Sequence, residues 1–294
     1  MGLVESFLIY GAITGAVYAL LAVGFTLIYG VADVVNMAHG AFYMLGAYIF
    51  FSFALELFQL NLYLALILAA IAVGIIASVI HRIFIDPIAE DIIATLVVTV
   101  GVALMLQQVM TIVYGIGHVE IPPFLPGSIV IADVTVTYSK ILAVAVSLIL
   151  FFTLWTFMRK AKVGAAMRAA AQDREVAMLM GINTTRLHML TMAISGSFAA
   201  VAGVMISSST SQMADPFMWL FPLVMSFSIV ILGGLGNVKG TFVGALIVGF
   251  AETGVVTFVP EGTYLKGAAA LAIMVAVLLL RPRGLFGKHI ELED

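Results

Sequence analysis

Not one cysteine occurs among the 294 residues, which removes disulfides, thiolate metal sites and a cysteine nucleophile while leaving the compartment open. Charge is nearly as scarce: 13 Lys and Arg with 16 Asp and Glu make up 10% of the chain, against roughly 25% in soluble domains. The five histidines are dispersed and no H-E-x-x-H occurs, so neither a metal-ligand cluster nor a catalytic constellation is evident. No basic patch for nucleic acid is present. The first residues carry Glu5 and no Lys or Arg ahead of an apolar run over 6–29. The charged opening of a secretory signal is therefore missing, and the run reads as a retained first span.

What fills the chain is apolar: 63% of residues, with a mean hydropathy of +1.18. The fold class is an all-α integral membrane protein, since runs this long need helices to satisfy their backbone in hydrocarbon and are too long for barrel strands. At about 20 residues per crossing the length allows eight to ten spans in a polytopic helical bundle, one transmembrane domain over 1–294. Runs at 6–29, 42–58, 62–80, 92–114, 141–157, 189–207, 220–235, 241–259 and 265–280 give about nine, the seventh being the shortest.

One stretch breaks the pattern. Residues 159–188 hold six of the thirteen basic residues. Their middle, from Ala165 to Met180, is built of helix formers with Gly181 where a C-terminal cap belongs, predicting one short helix outside the bilayer. On such a helix Arg168, Gln172 and Glu175 share a polar face, while Met167, Ala170, Ala171, Met178 and Leu179 form a soft apolar one suited to a groove on another protein. A plain basic loop that only sets topology is the other reading. Placing 159–188 in the cytoplasm puts the N-terminus outside and the C-terminus inside. Arg82, Arg159, Lys160, Lys162, Arg168, Arg174, Arg186, Lys239, Arg281, Arg283 and Lys288 then lie inside and only Lys140 and Lys266 outside. The outer loop at 115–140, with Pro122, Pro123 and Pro126, ends in SIVIADVTVTY and predicts a small hairpin. A second outer segment, 208–219, carries Asp215-Pro216 and aromatics.

Gly164, Arg168-Ala169, Asp173, Glu175-Val176-Ala177 and Gly181-Ile182 resemble the E-A-A-x-x-x-G coupling segment of ABC importer permeases, in its branched-chain amino acid permease variant, with Val176 departing from the general Ala. Asn36-Met37-Ala38-His39-Gly40 and Tyr43-Met44-Leu45-Gly46-Ala47-Tyr48 resemble the N-x-A-H-G and M-x-G-A-Y patterns of the same family. The resemblance implies an ABC importer permease fold whose cytoplasmic segment docks on the ATPase, making 164, 168, 169, 173, 175, 177, 181 and 182 coupling residues. It implies a second homologous permease chain, two ATP-binding cassette ATPase subunits and an extracytoplasmic amino-acid-binding protein. No cofactor is then expected on this chain, since ATP and Mg belong to the ATPases, and its surroundings are membrane lipid in the cell membrane.

Two places raise the question of the transport path. Asp33, Asn36 and His39 stand three apart between Gly30 and Gly40, which fits either a broken or re-entrant stretch lining the path or an interfacial turn. Glu252 lies within an apolar run. It is placed to meet a substrate ammonium, to bond a neighbouring helix, or to stay protonated and structural. Asn36, His39, Gly40 and Glu252 are thus the path candidates. LGGLGNVKGT, at 232–241, has the glycines of a phosphate loop in the wrong order and reads as a tight inner bend. Asn36 and Asn237 each open a loosely repeated Asn, Gly, Phe, Gly-Ala pattern, the step from Phe42 to Gly46 being two residues longer than that from Phe242 to Gly244. Gly11, Gly15 and Ala19, with Gly196, Ala200 and Gly203, mark helix contacts. Import of leucine, isoleucine and valine driven by ATP on partner subunits is the function the resemblance implies. Related permeases for urea, short amides or other amino acids are the nearest alternative, and a secondary carrier or channel independent of ATP is another.

Overall fold

The computed structural model describes residues 2–210, 213–281 and 284–287; Arg283 and Lys288, counted above as inner charges, lie outside them. The elements run α1 (Leu3–Ala32), α2 (His39–Phe51), α3 (Leu62–Ile80), α4 (Ile92–Tyr114), β1 (Ser128–Ile131), β2 (Val134–Thr137), α5 (Tyr138–Lys160), α6 (Lys162–Ala170), α7 (Arg174–Leu179), α8 (Thr184–Thr210), α9 (Leu220–Gly233), α10 (Val238–Phe258) and α11 (Lys266–Leu280). π-helical turns extend α2 to Glu56 and α3 to Ile85.

Among the described residues seven helices are long and apolar enough to cross a membrane. The stretches at 42–58 and 220–235 depart from the simple span reading. α9 has only 14 residues, and α2 is a 13-residue helix with a π-helical tail. Composition cannot separate such core helices from lipid-facing spans, because both are apolar on every side.

Burial sorts the helices. In α1, 78% of the most apolar window is inside the protein, against 6% in the segment containing α11. α1 is therefore a central post, and α2 is buried around nearly its whole circumference. α3 instead shows Ile67, Ile71, Ile75 and Val79, four residues apart, as an exposed apolar stripe.

Small residues set the core spacing. α1 and α10 run antiparallel, and a Cβ on Gly249 would stand 2.4 Å from the Gly15 nitrogen. α2 crosses α8 where a Cβ on Gly46 would meet Ala200 Cα at 2.3 Å and one on Gly203 would meet the Tyr43 carbonyl oxygen at 2.2 Å. The small-residue positions Gly11, Gly15, Gly196, Ala200 and Gly203 are all helix contacts. With no hydrophobic drive between helices in lipid, such backbone approach supplies the dispersion contacts that hold the bundle.

The hairpin forms as its alternation predicts: β1 and β2 pair antiparallel with Ile131 opposite Val134, and Ala132 and Asp133 make the turn at φ 47° and 62°. Val134 and Val136 face inward, and the Tyr10 hydroxyl donates to the Thr135 carbonyl at 2.7 Å. Val119 and Ala214 exchange two backbone hydrogen bonds of 2.9 Å, joining the loops at 115–140 and 208–219 at this end.

Candidate functional site: a two-sign cavity and an exposed two-helix segment

At the hairpin end a cavity of about 520 Å³ opens between α1, α8, α9 and α10. Glu252 projects into it from α10, nearly fully buried. The Tyr18 hydroxyl on α1 donates to its Oε2 at 2.7 Å, and Lys266 Nζ at the start of α11 lies 3.7 Å from its Oε1. Lys140, held 4.6 Å over the Tyr10 ring, and Asp215 line the same space. The carboxylate thus bonds a neighbouring helix and faces an open chamber at once. Sequence reading reached Glu252 and missed its partners, since Tyr18 is one aromatic in an apolar run and Lys266 counted only as an outer charge.

Asn36, His39 and Gly40 sit elsewhere. α1 ends at Asp33, in the left-handed region at φ 53°, and residues 33–38 leave the helix. His39 Nε2 lies 2.9 Å from the Leu21 carbonyl, about 16 Å back along α1 from Ala32 at 1.5 Å per residue. α2 therefore starts deep inside the bundle, so the chain is broken here and does not make a simple surface turn. Its polar groups are consumed by protein: Asn36 Oδ1 accepts from the Ala38 amide at 3.0 Å, and Asn36 Nδ2 donates to Met192 Sδ at 3.4 Å. His39 Nδ1 lies 3.3 Å from Ser195 Oγ, with the Phe25 ring edge-on to the imidazole. A Cβ on Gly40 would meet the Trp219 carbonyl oxygen at 2.3 Å, so the first turns of α2 and α9 are in contact. These three residues shape the core beside the cavity without lining it.

At the opposite end, residues 159–188 form two helices where one was expected. Asp173 is the cause: its side chain accepts from the Val176 amide at 2.9 Å, and its backbone is extended at φ −158°. It thus caps α7 and cannot continue α6. Gly181 closes α7 at φ 83°, with Ile182 N–H on the Ala177 carbonyl (3.1 Å) and Gly181 N–H on Met178 (2.9 Å), the double bond of a Schellman ending. The apolar face also divides. Met167 and Ala170, expected to face a partner, are buried with Gly164 and Ala177 against Val23, Leu27, Val31, Phe151 and Leu154. Gly164 fits there because its Cβ position is 2.4 Å from the Phe157 carbonyl oxygen in the α5–α6 corner. Val176, Met178, Leu179 and Met180 remain exposed, the last two at 86% and 78%. Arg168, Ala169 and Glu175 lie on the same pair of helices, Glu175 exposed in the first turn of α7. Asp173→Ala is expected to cost α7 about 1 kcal/mol, read as faster hydrogen exchange of its amides with the bundle's exchange unchanged.

Two of the dispersed histidines do meet: the His81 and His188 rings lie edge to face at 5.9 Å where α3 and α8 approach. No group of three or more metal-type ligands forms among the described residues. The glycines at 233–236 make the expected bend, with Gly234 and Gly236 at positive φ, and Asn237 caps α10 by accepting from the Gly240 amide at 3.0 Å. Asn36 holds no such post: the residue before α2 is Ala38, and Asn36 closes a turn two residues earlier, so the loose repeat has no common cap behind it.

Residues 7–278 match the family described as "Branched-chain amino acid transport system / permease component". The high-affinity branched-chain amino acid transport system permease protein BraD of Pseudomonas aeruginosa is 31% identical, over 96% of this chain and 95% of its own. The corresponding permease protein LivH of Escherichia coli is 31% identical over 95% and 94%. Among solved structures, PsaBC from Streptococcus pneumoniae, in complex with Fab, superposes with a TM-score of 0.52 at 13% identity, over 94% of this chain and 92% of that one, a likeness of fold. Apolar spans and a match along nearly the whole chain agree: this is a multi-pass membrane protein belonging to the branched-chain amino acid transport permease family.

Proposed function

We propose that this chain is the membrane-spanning, non-catalytic permease subunit of an ATP-driven importer of leucine, isoleucine and valine. The observation that carries the reading is the α6–α7 segment. A short helix capped at both ends holds four exposed apolar side chains at the end of the bundle where every described Lys and Arg except Lys140 and Lys266 collects. Exposed apolar surface in a basic setting fits a protein groove better than water or lipid headgroups. The charge asymmetry supports reading that end as cytoplasmic. The hairpin and the cavity are then extracytoplasmic, with the N-terminus outside and the C-terminus inside. Counting α2 with its π-helical tail and α9 as crossings brings the total to nine.

In this arrangement the chain acts as one permease domain beside a second, homologous permease. Two ATPase subunits hold ATP and Mg and engage α7, and an amino-acid-binding protein delivers substrate to the hairpin end. ATP-driven closure of the ATPases moves α5 and α8 through the α6–α7 link, and ATP and the loaded binding protein supply the differential binding that shifts the conformational equilibrium. Inside-out control of energy is the test. Vesicles carrying the assembled complex and binding protein are expected to accumulate labelled leucine only with ATP on the ATPase side, in competition with isoleucine and valine and without competition from urea or acetamide. Uptake that persists without ATP and follows an ion gradient would replace this reading with a secondary carrier.

A further inference from the structure

The cavity at the hairpin end carries charges of both signs, and we infer that it is a head-group site for an α-amino acid zwitterion within this single chain, Glu252 taking the ammonium and Lys266 the carboxylate. The inference rests on the import reading above and adds where, and by which groups, the substrate is held.

Three features point to this ligand class. The first is the state of Glu252. Its Oε2 is fixed by the Tyr18 hydroxyl at 2.7 Å, and its Oε1 makes no hydrogen bond within the described residues. Lys266 Nζ, at 3.7 Å, lies within ion-pair reach of Oε1 and beyond hydrogen-bond range. One carboxylate oxygen is therefore locked and the other is presented to the cavity, which is how a donor with several N–H groups is received. The second is spacing. The ammonium and carboxylate of an α-amino acid leave the same carbon atom, so their receptors must be neighbours, as Glu252 and Lys266 are. Urea, an amide or a sugar carries no formal charge, so it cannot replace either partner of the Glu252–Lys266 pair and gains neither of the two charge-assisted contacts that a zwitterion makes. The third is the wall: Val17, Leu21, Ile206, Met218, Phe221 and Val256 give the chamber apolar sides for an aliphatic side chain.

The pair also explains how a buried carboxylate survives without substrate. With the cavity empty of ligand Lys266 neutralises Glu252. With a zwitterion present its ammonium takes over Glu252, and Lys266, whose side chain is 41% exposed and free to turn, moves to the carboxylate. Charges exchange partners and none is stranded, avoiding the cost of breaking a buried pair. Lys140, which lines the same cavity, supplies a second cation for the same carboxylate.

The chain's lack of cysteine makes the test direct. A single Thr257→Cys change on the cavity wall, in the assembled complex in vesicles without binding protein, is labelled with a polar maleimide. L-leucine is expected to slow labelling, while 3-methylbutylamine, which lacks the carboxylate, and 4-methylpentanoate, which lacks the ammonium, leave it unchanged at the same concentration. Glu252→Gln is expected to raise the protecting leucine concentration about tenfold or more, the loss of one charge-assisted contact. The exchanged double variant E252K/K266E keeps an ion pair between α10 and α11, so a merely structural pair predicts intact protection, whereas a head-group site predicts its loss. Protection by all three compounds alike, by none, or undiminished in the double variant would overturn the inference while ATP-driven leucine uptake still stood. Absence of leucine uptake with ATP and binding protein supplied would overturn the import reading instead.

Discussion

Replacing Gly249 with leucine is expected to prevent accumulation of folded protein. The first atom of the new side chain would fall 2.4 and 2.5 Å from the backbone nitrogen and Cα of Gly15 and 3.0 Å from the Gly11 carbonyl oxygen. All three are backbone atoms of α1, the central post, so no rotamer change relieves the clash and α1 and α10 must separate along their shared length. Overpacking by a methylene or two already costs about 1–3 kcal/mol in a core whose neighbours yield. A rigid backbone raises that cost, and separation also breaks the contacts between Thr26 and Thr241 hydroxyls and between Tyr18 and Glu252. Gly101→Leu is the control: nothing lies within 4 Å of its Cβ position on the exposed side of α4. There the change is expected to be neutral or to gain up to about 1 kcal/mol of helix propensity. Detergent-solubilised yield and thermal unfolding of the two variants, compared with the parent chain, measure the difference. Equal stability for both would show that α1 and α10 do not meet as closely as described.

Elements governed by local rules were legible in advance. The Ala132-Asp133 turn and the Gly181 ending are fixed by the residues within a few positions of each, and both are where the pattern places them, whereas α10 opens at Asn237, four residues before the apolar run at 241. What escaped depends on depth and on which neighbour arrives. Nothing in NMAHG says that the chain doubles back along α1, so that His39 spends its nitrogens on Leu21 and Ser195 and never faces the cavity. Met167 and Ala170 carried a soft apolar face that served the fold, because the α5–α6 corner at Gly164 turns α6 back onto α1. Asp173 was visible as part of a motif, and its cap could have been read from the polar Gln172-Asp173 pair followed by Glu175-Val176. The pull of the long helix-forming run obscured it. Glu252 was singled out from cost alone, since a carboxylate in an apolar run needs a partner. Tyr18 lies 234 residues away and Lys266 follows an intervening turn, so neither partner can be identified before the fold is known.

Leu179→Asp is expected to abolish ATP-driven uptake while leaving the bundle intact. Leu179 touches little of its own chain and is 86% exposed, so the variant loses no core packing and gains a well-hydrated charge in the free chain. α7 itself is held by Asp173 at one end, Gly181 at the other and buried Ala177 between them, none of which the change disturbs. The cost appears only when this surface is covered. Burying an aspartate where leucine would sit costs about 3 kcal/mol or more without a partner for the charge, roughly a hundredfold in association. Membrane level and thermal unfolding of the variant should therefore match the parent, with leucine accumulation and recovery of the ATPase subunits on purification both lost. Glu175→Lys, exposed in the first turn of α7, reverses the charge that favours the helix N-terminus and should weaken coupling less, since its contribution there is about 0.3–1 kcal/mol. Full uptake by the Leu179 variant would remove α7 from the coupling path.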